Sequence, residues 1–557
     1  MKMKNSTRGL IRTALAASAL SALSAVPAMA QAPAVNDPPA MEKVIPDTTP
    51  IVETKYGPVQ GLIDDGVQEF LGLRYAKAPI GELRFMPPKE PDSWEDIYDA
   101  TTLGAPAMQM YSASGPRTSD FTRQVQTIFP TLAESKFDNE DSLFLNVWTP
   151  AADGEKRPVM VWFHGGGYAY GSGGWAAYDG RNLAEKGDVV VVTVNHRLNL
   201  FGYLYLGEAF GEDYAASGNL GNLDLVASLE WVRDNIEKFG GDPENVTIMG
   251  ESGGGSKVSH LLATPAADGL FDKAIIQSGP GVTSGKKEDA AALAKLFLET
   301  AGIETEEQLR AMPAEQLLEY GRETLRQARS EGIGGNFSPI VDGEVLPRDP
   351  FIPAAPEQSR DIPVMIGWNK DEMTIFNAAQ PWFGTLTEEG LERMVAAMGE
   401  SGPALIENYR QMYPDYSPTY LFNSAMTSRF IYGTQILADQ KVRQGGAPVY
   451  MYQLYYDTKA NGGILKSPHT LDIPFMFNNA EESRVLVGDG LDPLILEDMM
   501  SDAWISFART GTPSSDRLPE WTPYDTDTRT LMRFDVVPSL VDDPEKGIRE
   551  ILSQENN

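Results

Sequence analysis

Short apolar runs alternate along the chain with longer segments in which apolar residues recur at helical spacing. The apolar runs predict strands at Val159–Phe163, Asp188–Val194, Val246–Met249, Lys273–Gln277, Pro363–Trp368 and Val449–Tyr456. Helical spacing predicts helices at Leu223–Phe239 before Gly240-Gly241, from Thr305 through Glu319, and at Ile495–Arg509 before Gly511 and Pro513. Strands that alternate with helices predict an α/β fold with a largely parallel sheet.

The first 30 residues have the pattern of an export signal. Four basic residues precede an apolar stretch at Thr13–Val26, and Ala28-Met29-Ala30 follows as a small-residue cleavage site. The apolar stretch is shorter than the roughly 20 residues that a spanning helix needs. We expect residues 1–30 to be removed as a signal peptide, leaving a bacterial protein that is exported, periplasmic or secreted, without membrane insertion.

The rest of the chain has one continuous organisation. Residues 31–50 are rich in Pro and Ala without periodicity, which predicts a flexible lead-in. Residues 51–557 contain no internal repeat and no second linker. They are expected to form a single large domain. No pattern in the sequence indicates an oligomeric state.

Composition and charge exclude several classes of function. The chain of 557 residues has no Cys, which excludes disulfides, thiolate nucleophiles and Cys-ligated metal sites. Its formal net charge is -32, and removal of the four basic residues of the signal segment makes the charge -36. Such an acidic chain repels phosphate groups and anionic lipid, so we expect no nucleic-acid partner and no docking on anionic membranes.

The strongest chemical signal lies at Gly250. A predicted strand runs into Gly250-Glu251-Ser252-Gly253-Gly254, after which helical spacing begins. This G-x-S-x-G turn between strand and helix exposes a serine hydroxyl above a sheet, so Ser252 is the candidate nucleophile. Gly250–Lys257 also resembles a phosphate-binding loop, but Ser256 and Lys257 stand in the reverse of the order that such a loop requires.

A serine nucleophile needs a base, and the chain has 4 His. His260 lies two turns along the predicted helix after Ser252, too far to reach the hydroxyl. His196 follows a buried strand and is expected to be structural. His164 opens His164-Gly165-Gly166-Gly167, whose glycines let backbone N–H groups approach an oxyanion. His469, in a loop-like stretch, remains as the candidate base.

The base in turn needs a carboxylate that orients it. Asp371 and Glu372 follow the predicted strand at Pro363–Trp368, and the carboxyl end of a strand is where an open α/β sheet builds its site. Spacing alone leaves the two carboxylates as alternatives. The chain order of serine, acid and histidine is that of the α/β-hydrolases.

From about Val52 to its C-terminal part the chain resembles the type-B carboxylesterases, a family that includes the cholinesterases and bacterial p-nitrobenzyl-type esterases. The ordered motifs that carry the resemblance are Phe70–Ala76, Leu83–Phe85, Glu140–Val147, His164–Gly167, Asn195–Leu198, Phe239–Pro243, Gly250–Gly254, Gln277–Gly279, Asn369–Glu372, His469 with Asp472, and Phe507–Gly511. The resemblance implies an α/β-hydrolase fold, in which a central, mostly parallel sheet is flanked by helices and helical insertions cover the site.

The resemblance also implies roles for individual residues. It implies Ser252 as nucleophile, Glu372 rather than Asp371 as acid and His469 as base. Oxyanion donors are implied at the backbone N–H groups of Gly166, Gly167 and Gly253. It further implies an ion pair between Arg84 and Glu140, and it implies no metal and no organic cofactor.

Four positions depart from the family pattern. Ser142 and Met108 stand where the family often has a pair of Cys that closes a loop near the entrance to the site, so that loop is expected to be looser. Met373 replaces a Gly after the acid, which puts the local backbone in question. Asp472 stands where Glu is frequent.

The expected activity is therefore hydrolysis of a small-molecule carboxylic ester through a Ser-His-Glu triad and an acyl-enzyme. A catalytically idle, neuroligin-like binding module is one alternative, and hydrolysis of an amide, carbamate or lactone on the same fold is another. Candidate pocket residues are aromatic side chains near the motifs, equally compatible with core packing: Tyr168, Trp175, Trp382 and Phe383.

Overall fold

A sheet of twelve strands runs through residues 47–110 and 138–555, which are the residues that the structure, a computed structural model, describes. The strands of the described residues are β1 (Asp47–Thr48), β2 (Val52–Glu53), β3 (Pro58–Gln60), β4 (Leu62–Asp64), β5 (Val67–Arg74), β6 (Tyr98–Asp99), β7 (Phe144–Thr149), β8 (Arg157–Phe163), β9 (Val190–Val194), β10 (Gly241–Glu251), β11 (Lys273–Gln277), β12 (Gly285–Lys286), β13 (Ile340–Val341), β14 (Val364–Asn369), β15 (Val449–Leu454), β16 (Thr530–Phe534) and β17 (Ser539–Asp542).

The order of strands in the large sheet is β1-β4-β5-β7-β9-β8-β10-β11-β14-β15-β16-β17. In this order, neighbours from β9 through β16 all pair in parallel. Antiparallel pairing begins with β7 on one side of this parallel group and with β17 on the other. The remaining strands form a small sheet of β2, β3 and β6 and a pair of β12 with β13. A mostly parallel central sheet confirms the predicted α/β architecture.

The sixteen α-helices of the described residues connect these strands. They are α1 (Arg181–Gly187), α2 (Asn199–Tyr203), α3 (Gly207–Phe210), α4 (Leu220–Asn235), α5 (Gly253–Leu261), α6 (Lys287–Ala301), α7 (Glu306–Ala311), α8 (Ala314–Glu331), α9 (Thr374–Asn377), α10 (Glu388–Ala396), α11 (Gly402–Met412), α12 (Pro418–Gln444), α13 (Asp472–Met476), α14 (Arg484–Val487), α15 (Asp492–Thr510) and α16 (Lys546–Glu555). The long insertion between β14 and β15 contains α9 to α12.

The central strands are buried on both faces, as their continuous apolar sequence predicts. In β8, Val159, Val161 and Phe163 pack into the core on one side of the sheet, whereas Met160 and Trp162 pack on the other. Because successive side chains of a strand point to opposite faces, an unbroken apolar run supplies both cores at once. Helices on each side complete the two layers.

One predicted helix is wrong in its extent. The capping box of Thr305 and Gln308 is present and begins α7, but α7 ends at Ala311 rather than continuing through Glu319. Pro313 lacks a backbone N–H and disfavours helical geometry at Met312, so the chain turns and α8 begins at Ala314. Because helical spacing continues on both sides of Pro313, the sequence pattern alone predicted one helix instead of two.

Other boundaries differ by a few residues. The helix predicted at Leu223–Phe239 begins three residues earlier and finishes as a 3-10 turn that ends at Gly240, whose φ is 81°. Gly511 likewise ends α15 with a φ of 77°. The predicted flexible lead-in extended to residue 50, but Asp47–Thr48 pairs with β4, so regular structure begins before Ile51. The predicted signal peptide lies outside the described residues.

The ion pair implied between Arg84 and Glu140 is present and nearly buried. Arg84 Nε donates to Glu140 Oε1 at 2.6 Å, and the guanidinium also donates to the carbonyl groups of Arg310 and Met312 at 2.9 and 2.7 Å. This arginine therefore ties the segment before β7 to the turn that separates α7 from α8.

None of the helices in the described ranges is long and apolar enough to cross a membrane.

A second ion pair is fully buried and predicts a large stability effect. Arg197 donates to both carboxylate oxygens of Asp224, at 2.8 and 2.6 Å, and neither side chain is more than 4% exposed. Asp224→Ala leaves the guanidinium buried without its partner, so we expect the free energy of unfolding to fall by about 3–5 kcal/mol in urea denaturation.

The exposed pair of Arg393 and Glu389 is the matched control, with side chains 68% and 81% exposed. Arg393→Ala should change the free energy of unfolding by less than about 1 kcal/mol. Equal losses in the two variants would contradict the assignment of Arg197 and Asp224 as a buried structural pair.

Candidate active site

Ser252 lies on a strained turn at the carboxyl end of β10. Its φ of 58° and ψ of -122° are unfavourable for a residue with a side chain, and α5 begins at the next residue. A conformation of this kind costs about 1–3 kcal/mol. The turn is held by a hydrogen bond of 2.8 Å from the N–H of Ser252 to the carbonyl of Gln277. The strain places the half-buried serine at the start of a helix.

The glycines around Ser252 are required by the close approach of backbone segments. A Cβ on Gly254 would lie 2.0 Å from the carbonyl oxygen of Phe163, and one on Gly279 would lie 1.8 Å from that of Ser252. A Cβ on Gly250 would similarly lie 2.5 Å from the carbonyl carbon of Gly254. Any side chain at these positions would displace the turn, so the G-x-S-x-G spacing is a packing requirement here.

The glycine loop after β8 lies directly against this turn. Gly166 and Gly167 have φ values of 86° and 63°, which favour glycine. A Cβ on Gly253 would lie 2.6 Å from the backbone nitrogen of Gly167, so the two backbone segments touch. Within the described residues the N–H groups of Gly166 and Gly167 donate no backbone hydrogen bond, and that of Gly253 belongs to the unpaired first turn of α5.

Glu372 and His469 are in direct contact. Glu372 Oε2 lies 2.5 Å from His469 Nδ1, and Glu372 Oε1 accepts a hydrogen bond of 2.8 Å from the N–H of Asn369. Asp371 points elsewhere, because its carboxylate accepts from Tyr416 at 3.2 Å and from the N–H of Ser467 at 3.3 Å. Of the two alternatives that spacing left open, Glu372 is the carboxylate that touches the imidazole.

The other imidazole nitrogen points toward Glu251, the residue before Ser252. His469 Nε2 lies 3.0 Å from Glu251 Oε1, but the two atoms are not aligned for a hydrogen bond. Nε2 also makes no hydrogen bond to Ser252 in the described structure. Hydrogen bonds of catalytic groups are often long without substrate and shorten in the reacting complex.

Electrostatics around His469 favour the imidazolium. Burial lowers the pKa of His469, but the negative charges of Glu251 and Glu372 outweigh it and raise this pKa to about 9. Burial raises the pKa of Glu251 to about 8, against the opposing charge of His469. Because the two groups are so close, their titrations are coupled, and the charge of Glu251 affects how readily His469 loses its proton.

A third buried acid anchors the loop that carries His469. Asp472 accepts hydrogen bonds from Gln277 at 2.8 Å, Tyr452 at 2.9 Å and Asn369 at 3.3 Å. Gln277 in turn accepts from Trp504 at 3.1 Å. These donors lie on β11, β15, β14 and α15, so the shorter Asp, where the family often has Glu, still ties the loop to the core.

The remaining histidines have other contacts. His260 Nδ1 lies 2.6 Å from the carbonyl of Ser256 and its Nε2 lies 2.9 Å from Ser284 Oγ. His164 and His196 are buried and stack with ring centroids 4.8 Å apart. Lys257 is fully buried, which excludes the phosphate-loop interpretation because its amine cannot meet a phosphate.

The aromatic side chains beside His469 are not the four named from the sequence. Phe376 and Phe430 lie with ring centroids 5.0 and 5.7 Å from the imidazole, and Phe376 is 48% exposed. Trp382 packs on Phe422, and the remaining candidates pack similarly on neighbouring rings: Tyr168 on Tyr203, Trp175 on Tyr178 and Phe383 on Tyr420. The position of Glu251 directly before Ser252 could have predicted from the sequence that its side chain lies near the site. Phe430 lies on α12, far from the motifs in sequence, and no local pattern indicated its place beside His469.

The departures at Met373 and Ser142 are accommodated. Met373 has a φ of -82° and a ψ of -8°, an ordinary right-handed conformation that needs no glycine. Met108 and Ser142 are buried and line one small cavity, so the two positions are neighbours. Much of the loop between them, 111–137, lies outside the described residues, and its looseness stays a prediction.

In the described ranges, no group of three or more His, Asp or Glu side chains is placed to hold a metal ion.

Comparison with known proteins identifies the family. A sequence model of the carboxylesterase family matches residues 48–547. The para-nitrobenzyl esterase of Bacillus subtilis (strain 168) is 36% identical over 510 residues, covering 91% of this chain and 99% of that protein. Phenmedipham hydrolase of Pseudarthrobacter oxydans is 32% identical over 494 residues, covering 87% and 95%. The chain belongs to the carboxylesterase family.

Solved carboxylesterases share the fold. The carboxylesterase of Geobacillus stearothermophilus matches with a TM-score of 0.76 and 39% identity, covering 90% of this chain and 99% of that chain. The expected α/β-hydrolase fold is therefore confirmed. As a carboxylesterase the protein is a carboxylic ester hydrolase, which acts on small-molecule esters, and this favours the enzyme over the idle binding module.

The contact of His469 with Glu251 predicts a shift in pH dependence. A charged Glu251 raises the pKa of His469, so Glu251→Gln lowers this pKa and keeps the imidazole neutral to lower pH. We expect the acidic limb of the kcat/KM profile of this carboxylesterase to move down by about 1 pH unit. Glu389→Gln, which changes an exposed side chain, should leave the limb in place. An unchanged or raised limb in Glu251→Gln would show that the charge of Glu251 does not act on the imidazole of His469.

Proposed function

We propose that this carboxylesterase hydrolyses esters through an acyl-enzyme on Ser252, with His469 as general base and acid and Glu372 as the carboxylate that orients it. The N–H groups of Gly166, Gly167 and Gly253 act as the oxyanion donors. The observation that carries the proposal is the contact of 2.5 Å between Glu372 and His469, at the sheet edge where Ser252 is held on its strained turn.

The reaction proceeds in two halves. His469 takes the proton of Ser252, whose oxygen attacks the ester carbonyl to form a tetrahedral oxyanion. His469 then gives the proton to the leaving alcohol, and the acyl-enzyme forms. Water attacks the acyl carbon while His469 takes one of its protons, and that proton returns to Ser252 as the acid leaves. Glu372 holds Nδ1 protonated, so that Nε2 is free to exchange the proton.

The loop geometry supports the oxyanion assignment. Donors must lie about 2.7–3.1 Å from the developing oxyanion, and a preorganised donor of this kind contributes about 10²–10³-fold in kcat. The backbone contact between Gly253 and Gly167 brings donors from α5 and from the glycine loop to one place.

Substitution of the nucleophile tests the proposal. Ser252→Ala should lower kcat for a neutral chromogenic acetate ester by about 10⁴-fold or more, because a serine and its base act as a unit. Ser256→Ala, four residues along the same helix, should keep kcat within about threefold, since its hydroxyl bonds Tyr168 rather than His469.

The covalent step has its own readout. Rapid quenching of the wild-type protein should give an acylated peptide that contains Ser252, and this peptide should be missing in Ser252→Ala. If Ser252→Ala kept wild-type turnover, or if acylation occurred elsewhere, the proposed nucleophile would be wrong.

We also propose that the protein is exported after removal of residues 1–30. The support is the order of basic residues, apolar stretch and Ala28-Met29-Ala30 at the N-terminus. Export would place the esterase in the periplasm or outside the cell.

Intact mass and N-terminal sequencing of the full chain expressed in a bacterial host test this proposal. The expected product begins at Gln31 and is recovered outside the cytoplasm. Ala30→Phe puts a bulky residue at the cleavage site and should leave the uncleaved chain with the cell membrane. Active protein that begins at Met1 in the cytoplasm would contradict export.

A further inference from the structure

Lys257 is a buried amine that the proposed mechanism does not use. It lies on α5, five residues after Ser252, and its side chain is fully buried. Nζ donates a hydrogen bond of 2.8 Å to the carbonyl oxygen of His164. The ring of Tyr168 also lies nearby, with its centroid 5.6 Å from Nζ. Within residues 47–110 and 138–555 no carboxylate lies within ion-pair distance of this amine.

A buried lysine in this position lowers the stability of the fold. Burial without a counter-charge disfavours the ammonium and lowers the pKa of Lys257 to about 7. An apolar side chain of similar length would avoid this cost. The amine carries an N–H in both of its protonation states, so the hydrogen bond to His164 persists whether or not the lysine is charged.

The carbonyl that Lys257 holds belongs to the residue that opens the glycine loop. Gly165, Gly166 and Gly167 follow His164 and have no side chains that could anchor them, and glycine has the greatest backbone freedom of any residue. The loop closes on itself through a bond of 3.2 Å from the N–H of Ala169 to the carbonyl of Gly166. Lys257 adds a tether from outside the loop.

The tether runs to the helix that begins with the nucleophile turn. Ser252 and Gly253 form the N-terminal end of α5, and Lys257 lies on the second turn of the same helix. A hydrogen bond from Lys257 to His164 therefore connects the two segments that supply the oxyanion donors. We propose that Lys257 is a positioning residue, whose hydrogen bond to His164 holds the N–H groups of Gly166 and Gly167 in place relative to Ser252 and Gly253.

This inference rests on the proposed catalytic roles, and it makes a specific kinetic prediction. A loosened loop binds the substrate as before but stabilises the tetrahedral oxyanion less well, because hydrogen bonds of the hole strengthen only as charge develops. Loss of the tether should therefore lower kcat and leave KM nearly unchanged. A change in packing alone is not expected to lower kcat selectively while KM stays unchanged.

A second buried lysine provides a matched control. Lys441 on α12 is 1% exposed, and its Nζ also donates to backbone carbonyl groups, those of Ser359 and Arg360. Burial lowers the pKa of Lys441 to about 8. Lys441 has the same chemistry as Lys257 but contacts neither the glycine loop nor α5, so it separates loss of a buried lysine from loss of the tether.

The experiment compares Lys257→Met, Lys257→Gln and Lys441→Met in the full-length esterase. The measurements are kcat and KM for a neutral chromogenic ester, the melting temperature, and the inhibition constant of a trifluoromethyl ketone analogue. The ketone carbon accepts the Ser252 oxygen, the serine proton passes to His469, and the ketone oxygen becomes an oxyanion in the hole. Its affinity therefore reports on the oxyanion donors without turnover.

Lys257→Met should lower kcat by about 10–100-fold with KM within about threefold, and should weaken the ketone by the same factor as kcat/KM. Lys257→Gln retains an N–H donor on a shorter side chain, so its kcat should be at least threefold higher than that of Lys257→Met. Lys441→Met should lower the melting temperature and keep kcat and the inhibition constant at wild-type values.

Three outcomes would overturn the inference: kcat of Lys257→Met within threefold of wild type, ketone affinity unchanged by that substitution, or an equal loss of kcat in Lys441→Met. If Lys257→Met fails to fold, Lys257→Leu takes its place, because leucine also removes the N–H donor. Wild-type kcat and wild-type ketone affinity in Lys257→Leu would then overturn the inference. Turnover retained by Ser252→Ala would instead defeat the proposed function itself.

Discussion

The parallel pairing of the central strands is the constraint on which the rest of the structure depends. Parallel strands end at the same edge of a sheet, about 4.8 Å from their neighbours, so the loops that leave them are forced together. β8 and β10 are adjacent, which sets the glycine loop against the turn at Ser252. β14 and β15 are adjacent as well, which brings Glu372 against His469 across 97 residues of sequence.

Crowding at that edge explains both the glycines and the strain. Backbone segments approach so closely around Ser252 that side chains are excluded at Gly254 and Gly279. The unfavourable conformation of Ser252 persists because neighbouring segments hold it, with Gln277 accepting its N–H. Burial then intensifies the electrostatics, since an imidazole removed from water responds strongly to each nearby carboxylate. The same packing therefore shapes the site and sets its proton affinity.

Much of the architecture was predictable because local pattern and tertiary environment agree. The apolar runs of β8, β9 and β14 read directly as strands covered on both faces, and glycines at helix ends were readable as stops. The break between α7 and α8 was missed because helical spacing continues on both sides of Pro313. A single residue without an N–H outweighed the periodicity.

The candidate site likewise has features that local sequence pattern predicts and features that it does not. Local sequence pattern predicts the turn at Ser252 and leaves His469 as the candidate base, since few side chains can perform either role and the chain has only 4 His. Spacing could not choose between Asp371 and Glu372, because adjacent carboxylates differ only in where the backbone points them. Only the tertiary structure shows that Glu372 touches the imidazole, that Glu251 lies beside it and that Lys257 is buried against the glycine loop. Such contacts depend on distances between segments far apart in sequence, which no local pattern encodes.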